Sequence, residues 1–271
     1  MLTEKYEKLQ DILRDLKTVV VAFSGGVDST FLLKAAVDTL GRENVIAVTG
    51  DSETYPSSEL LEAKELANHI GVTHLVIETS ELAIPGYVEN DRNRCYFCKS
   101  SLFDHLIPIL KERGFNNVVY GVIADDLNEF RPGMRAAKEK GVLGPLQDAN
   151  LFKEEIRELA RQFDLPNWNK PSLACLSSRI AWGEKITMEK LNKVEKSEAF
   201  LKSLGIQQVR VRTHEEIARI EVEKQDMQRV LDYHDQIAKS LQQFGYKYIS
   251  LDLVGYHSGS MNKVLESNVT I

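Results

Sequence analysis

An apolar, β-branched run, Thr18-Val19-Val20-Val21-Ala22-Phe23, leads directly into Ser24-Gly25-Gly26-Val27-Asp28-Ser29-Thr30. The run reads as a buried parallel strand. The residues after it, Ser29 to Val37, read as a helix ending near Gly41. Two adjacent glycines let the backbone turn sharply and come close to a ligand. The start of a helix presents unpaired N–H groups and a partial positive charge, so the turn is an anion site. Ser24, Ser29 and Thr30 add hydroxyl donors. Asp28 fits beside a phosphate when a divalent metal lies between them. The alternative is a tight strand–helix turn with a serine cap. The Walker pattern of phosphate-binding loops is absent.

Further alternation of strands and helices follows. Strands are predicted at Val45–Thr49, Thr73–Glu78 and Asn117–Gly121, and helices over 4–16, 57–70 and 99–113. This pattern predicts an α/β fold, a parallel twisted sheet with helices on both faces. After residue 170 the pattern changes. A helix over 187–204, strands at 208–212 and 217–222 that alternate apolar and polar, a helix over 225–243 and a strand over 248–254 predict a small α+β domain. The expected division is 1–175 and 176–271.

Ligands of open α/β sheets sit at the carboxyl ends of the strands. Two more segments lie there: Gly50-Asp51-Ser52, and Tyr120-Gly121-Val122-Ile123-Ala124-Asp125-Asp126. The second supplies a glycine for close backbone approach and a carboxylate pair. The bland reading of Asp125-Asp126 is a polar loop that caps a helix.

Three cysteines occur, Cys95, Cys98 and Cys175. Their odd number argues against a disulfide framework. Cys95-Tyr96-Phe97-Cys98 is a C-x-x-C, which alone is open between zinc, a redox pair and an Fe–S site. There is no fourth cysteine for zinc, and none of the six histidines shows paired ligand spacing. Cys175 lies among small residues and an arginine, in Lys170-Pro171-Ser172-Leu173-Ala174-Cys175-Leu176-Ser177-Ser178-Arg179, which suits a reactive thiolate or a metal ligand. Three thiolates can hold three irons of a [4Fe-4S] cluster and leave the fourth open to carry sulfur. Three unrelated buried cysteines are the alternative.

Composition narrows the partners. No apolar run reaches the length of about 20 residues that spans a bilayer. The charged N-terminal stretch lacks the apolar core of a signal peptide, so a cytoplasmic protein is expected. A formal net charge of −6 offers no whole-chain field for nucleic acid.

Ser24 to Ser29 resembles the Ser-Gly-Gly-x-Asp-Ser loop of the PP-loop ATP pyrophosphatases, which adenylate a substrate and release pyrophosphate. Further stretches are similar to one subgroup, the LarE-like ATP-dependent sulfur transferases of nickel-pincer cofactor biosynthesis for lactate racemase. They are Phe130-Arg131-Pro132-Gly133, Asn167-Trp168-Asn169-Lys170, Ser177-Ser178-Arg179, Val209-Arg210-Val211-Arg212, Ile217-Ala218-Arg219-Ile220-Glu221, and Ser258-Gly259 with Met261-Asn262.

The resemblance implies ATP with Mg2+ as cofactor, Ser24 to Thr30 on the phosphates, and Asp51 and Ser52 near the adenosine. It implies a small nucleotide-like substrate, pyridinium-3,5-biscarboxylic acid mononucleotide, whose carboxylate becomes an acyl-adenylate and then a thiocarboxylate. Arg210 and Arg212 match family arginines that bind substrate phosphate or carboxylate, and Arg179 is a similar case. Glu198 and Glu221 match carboxylates of a metal site between subunits, although Arg229 stands where a further acidic residue is expected. Well-known members carry one cysteine, matching Cys175, which gives up its own sulfur. Cys95 and Cys98 are additions that favour a [4Fe-4S] cluster with Cys175 as a ligand. A homo-oligomer, and enzymes upstream and downstream in cofactor biosynthesis, are the partners implied. The rival readings are a tRNA thiolase of the same superfamily, an ammonia-using synthetase, and a nucleotide-binding Fe–S or zinc protein without turnover.

Overall fold

A computed structural model describes every residue except 129–131, 173, 263 and 265–271. Phe130 and Arg131, and Leu173 of the Cys175 loop, therefore lie outside the described residues. The chain divides into two compact units, Met1–Glu81 with Cys95–Leu173, and Leu82–Arg94 with Ala174–Ile271. The segment 82–94 thus groups with the C-terminal residues, although in sequence it lies between the two halves of the first unit.

The first unit carries four strands, β1 (Val19–Ala22), β2 (Val45–Asp51), β3 (Thr73–Glu78) and β4 (Asn117–Tyr120), all parallel in the order β3-β2-β1-β4. Its helices are α1 (Leu2–Leu16), α2 (Val27–Leu40), α3 (Ser57–Ile70), most of α5 (Arg94–Arg113), α6 (Pro132–Glu139), α7 (Pro145–Asp148) and α8 (Lys153–Gln162). The two-residue side-chain period of β1 divides the core. Val19, Val21 and Phe23 pack with Leu9, Phe31, Leu32 and Ile156 on one face. Val20 and Ala22 pack with Phe103, Leu106 and Ala136 on the other. The α/β fold with helices on both faces is as the alternation predicted. The order reverses between β1 and β4, which places a topological switch point at the end of β1, where α2 begins.

The second unit holds α4 (Pro85–Val88), α9 (Met188–Ser203), α10 (Met227–Asp232) and α11 (His234–Gln243). Its sheet has the order β5 (Val209–His214), β6 (Ile217–Val222), β7 (Tyr248–Leu251). β5 and β6 are antiparallel, and β6 and β7 parallel. Leu201, Val209, Val211, Ile220 and Ile237 form its core.

Four expectations differ from the structure. The predicted helix over 225–243 is interrupted at Tyr233, and the last strand ends at Leu251. β5 is buried along nearly its whole length, rather than on one face only. Of its alternate arginines, Arg212 is buried in a pair with Glu221, and Arg210 is buried within the influence of the Glu198 charge. Finally, α5 begins at Arg94, so the C-x-x-C lies in the first turn of a helix instead of before one. An Asx turn at Asp91, whose Oδ1 accepts the Asn93 N–H at 2.7 Å, turns the chain into that helix.

Candidate active site

Gly25 sits at φ +64°, a left-handed backbone that favours glycine. A Cβ there would also meet the Ala63 Cβ of α3 at 3.1 Å. Gly26 is the N-cap of α2 and is different in kind. A Cβ on it would meet only Ser24 Oγ, at 3.6 Å. The space over Gly26 is clear of protein, and the free N–H groups of the first turn of α2 open beside it. Ser29 Oγ ties the turn together, accepting from the Ser24 N–H at 3.3 Å and donating to the Gly26 carbonyl at 3.1 Å. The two hydroxyls of Ser24 and Ser29 lie 3.1 Å apart.

Gly121 follows β4 on the other side of the switch point. A Cβ there would lie 2.9 Å from Ser29 N and 3.2 Å from the Asp28 carbonyl carbon. The backbone that Gly121 approaches closely is the first turn of α2. Asp125 and Asp126 separate in role. Asp126 is buried and accepts the Ile123 N–H at 3.1 Å, closing its own loop. Asp125 accepts the backbone N–H of Lys153 at 2.8 Å. Asp51 and Ser52 lie half-buried at the carboxyl end of β2, with Ser52 Oγ 3.2 Å from Thr54 Oγ1.

Side chains without an assigned role in the sequence reading complete this site. Lys153 Nζ bonds both oxygens of Asp28, at 2.7 and 2.9 Å. Asn167 Nδ2 donates to the Gly25 carbonyl at 3.1 Å and to Thr30 Oγ1 at 3.0 Å, clamping the loop from behind. The Tyr55 hydroxyl donates to the Ser24 carbonyl at 2.8 Å. Burial, with the charges of Glu59, Glu62 and Asp51, pushes that phenol above its ordinary range, so it stays a donor. Lys170 bridges Glu59 and Glu62 at 2.5 and 2.6 Å. No local sequence pattern marks these partnerships, because each joins residues from distant segments.

The cysteines divide between the units. Cys95 and Cys98 belong to the first, three residues apart and so neighbours on one face of α5. Cys95 is exposed and Cys98 half-buried. The Cys98 thiol donates to buried Glu81 Oε1 at 3.8 Å. Cys175, half-buried, belongs to the second unit.

The residues expected to bind anions or metal in the second unit form a buried charge network. Arg179 is 2% exposed. It meets Glu198 by two bonds, Nε–Oε1 at 2.8 Å and Nη2–Oε2 at 3.0 Å. Its Nη1 donates to the carbonyls of Ala174 and Cys175, at 2.7 and 3.1 Å, and to Ser178 Oγ at 2.9 Å. The guanidinium therefore faces inward onto the Cys175 segment, unlike an arginine displayed to an anion. Burial alone would raise the Glu198 carboxyl. The charge and hydrogen bonds of Arg179, with Arg210 and the Val211 N–H, hold it below its ordinary value.

Arg212 bonds Glu221 Oε2 at 2.9 Å through Nε and Ser260 Oγ at 2.9 Å through Nη2. Arg219 Nη1 lies 3.2 Å from Glu221 Oε1 and also bonds Asp252. Glu198 and Glu221, expected to hold a metal, are thus matched to guanidinium groups within their own unit. Among the described residues, no group of three or more His, Cys, Asp or Glu is arranged to hold a metal ion. Arg210 donates to its own Val209 carbonyl at 2.8 Å and lies 5.3 Å from the Tyr256 ring centroid. Burial, together with the nearby charge of Arg179, lowers its pKa from the ordinary value.

The family model described as NAD synthase matches residues 4–91, which span the phosphate loop. An uncharacterized protein of Synechocystis sp. is 43% identical, over 98% of this chain and 99% of its own length. The pyridinium-3,5-bisthiocarboxylic acid mononucleotide synthase of Lactiplantibacillus plantarum is 38% identical, over 97% of this chain and 96% of its own length. An uncharacterized protein of Methanocaldococcus jannaschii is 29% identical, over 94% and 98%. No described helix is long and apolar enough to cross a membrane.

Proposed function

The chain belongs to the family of the pyridinium-3,5-bisthiocarboxylic acid mononucleotide synthase of Lactiplantibacillus plantarum, and on that premise we propose that it converts carboxylates of pyridinium-3,5-biscarboxylic acid mononucleotide into thiocarboxylates. It is an ATP-using, sulfur-transferring enzyme. The structural observation that carries the reading is the open approach over Gly26 to the first turn of α2, at the switch point of the sheet. A carboxylate oxygen attacks the α-phosphorus of ATP there. The bond from that phosphorus to the bridging oxygen of the β-phosphate breaks, and pyrophosphate leaves with the electron pair. The resulting acyl-adenylate is an electrophile that a free carboxylate is not. A sulfur nucleophile adds to its carbonyl carbon, AMP departs, and a thiocarboxylate remains.

The residues of this chain bind and orient. Gly26 and the first turn of α2 take up negative charge as pyrophosphate separates. Ser24, Ser29 and Thr30 surround that turn with hydroxyls, and Asn167 and Tyr55 fix the loop's carbonyls. Mg2+ beside Asp28 would neutralise the polyphosphate. Arg210 and Arg212, buried in this structure, are the proposed substrate-binding cations of the second unit.

Cys95, Cys98 and Cys175, none of them in a disulfide, are the proposed thiolate ligands of a [4Fe-4S] cluster, the first two lying one helical turn apart. A cluster held by them would supply a transferable sulfide, with Cys175 a ligand rather than a consumed donor. A homo-oligomer in the cytoplasm, receiving its substrate from one cofactor-building enzyme and passing its product to another, completes the proposal.

Pyridinium-dependent exchange of labelled pyrophosphate into ATP, with a sulfur-containing product by mass spectrometry, is the test. Exchange without sulfur incorporation would leave an adenylating enzyme and remove the transferase. Tight, salt-sensitive tRNA binding would favour a tRNA thiolase instead. Amide formation from ammonia, undiminished in Cys175→Ala, would favour a synthetase.

A further inference from the structure

We propose that Arg94 and Tyr87 are positioning residues for Cys175: from the segment 82–94 they fix the turn that carries the thiol. The inference rests on the sulfur-transferring reading above and adds two residues to it.

Cys175 is the N-cap of a single 3-10 turn, Leu176–Arg179. So short a turn is weakly held by its own backbone, because its hydrogen-bond geometry is poor. The Ser178 N–H donates to the Cys175 carbonyl at 3.0 Å, and the Ile180 N–H to the Ser177 carbonyl at 3.2 Å. Side chains must do the rest. Arg179 acts from within the turn, through the Ala174 and Cys175 carbonyls. The remaining support comes from a distant stretch of chain. Arg94 Nη1 donates to the Ser177 carbonyl at 3.0 Å, and the Tyr87 hydroxyl donates to Ser177 Oγ at 2.7 Å. Both oxygens of buried Ser177 thus accept from the segment 82–94.

Arg94 is the first residue of α5. That is a poor place for a cation, because the start of a helix carries partial positive charge. Local helix physics therefore gives no reason for an arginine here. Its tertiary contacts do. Arg94 is 5% exposed, its Nη1 also donates to Asn90 Oδ1 at 2.5 Å, and its guanidinium lies 4.6 Å from the Trp182 ring centroid. Asn90 is buried at φ +54°, a backbone that asparagine adopts more readily than most residues. It donates through Nδ2 to the Ala181 carbonyl at 2.8 Å, and its own carbonyl accepts the Gly183 N–H at 3.2 Å. The Val88 carbonyl accepts the Ile186 N–H at 2.9 Å. These bonds run along 177–186 and explain why 82–94 groups with the second unit.

The place where the segment takes hold gives the functional argument. It grips the residue two positions after Cys175, and it ends at the residue before Cys95 in the chain. Sulfur transfer needs the thiol held in one geometry, since a misplacement of about 1 Å can cost about 100-fold in rate.

The test combines two measurements on the full chain. One is hydrogen exchange of the Ser178 and Ile180 amides. The other is sulfur incorporated relative to pyridinium-dependent exchange of labelled pyrophosphate into ATP. Arg94→Met is expected to speed exchange of the two amides by about tenfold or more, the loss of one charge-assisted hydrogen bond. The amides of α9 should exchange as in the wild type. Sulfur incorporation should fall by a similar factor while pyrophosphate exchange is retained. Arg94→Lys, which keeps a donor for Ser177, should recover part of the sulfur incorporation. Tyr87→Phe should act in the same direction as Arg94→Met, more weakly, and is the variant read if Arg94→Met does not fold. Amide exchange that stays at the wild-type rate overturns the assignment. So does faster amide exchange with an unchanged ratio of sulfur to pyrophosphate exchange, the mark of a purely structural role. Wild-type protein that exchanges pyrophosphate and incorporates no sulfur would instead overturn the reading beneath it.

Discussion

Arg179 and Glu198 meet through two parallel hydrogen bonds in the second unit, with side chains only 2% and 7% exposed. Removing one partner of such a pair leaves an uncompensated buried charge. Glu198→Ala is expected to cost about 3–5 kcal/mol of stability, measured by urea unfolding. The Glu198 carboxyl is held below its ordinary value, so its contribution is fully present above the unfolded-state value near 4.5. It is lost as pH falls through the lowered folded-state value. Wild-type stability should therefore fall more steeply on acidification than that of Glu198→Gln. Parallel pH profiles would contradict the pairing.

Two glycines of the nucleotide site separate binding from folding. Gly26→Val should keep its melting temperature near that of the wild type and lose ATP binding, since the added side chain enters space free of protein. Gly121→Val should lose both. Its side chain would drive into the backbone of Ser29, an overpacking of about 1–3 kcal/mol. Thermal melts with and without ATP distinguish the two. Equal behaviour of the variants would refute the division.

Asn167 holds the loop through the Gly25 carbonyl and the Thr30 hydroxyl. Asn167→Ala should destabilise the chain by about 1–3 kcal/mol, because a buried carbonyl loses its donor. It should also raise the Kd for ATP. Loss of stability with unchanged ATP affinity would show that the clamp is not needed for binding.

The three thiols predict a metal content. Protein purified anaerobically and reconstituted with iron and sulfide should carry about four irons. Cys95→Ala, Cys98→Ala and Cys175→Ala should each lower that number and weaken the visible absorption. One zinc per chain and no iron would defeat the cluster.

Much of the first unit was legible from local pattern. The β-branched run of β1, the double glycine and the helix after it follow from properties of adjacent residues, and the structure places them as strand, turn and helix. The start of α5 was less legible, because Arg94 to Cys98 lacks helical apolar periodicity and an Asx turn at Asp91 sets the entry. Arg210 and Arg212 were legible as alternate residues of a strand. Their burial was not, because it depends on Glu198 and Glu221 arriving from α9 and β6 to balance them.

The sequence by itself determined most element types, the parallel sheet and the glycine turn before α2, since backbone hydrogen bonding and side-chain period act over a few residues. Tertiary structure alone decided which charges meet. Asp28 and Lys153 stand 125 positions apart, and only the order β3-β2-β1-β4, with α8 returning to α2, brings them into contact. The physical reason is range: a propensity acts within one turn or strand, whereas a buried charge takes whatever counter-charge the completed fold carries to it.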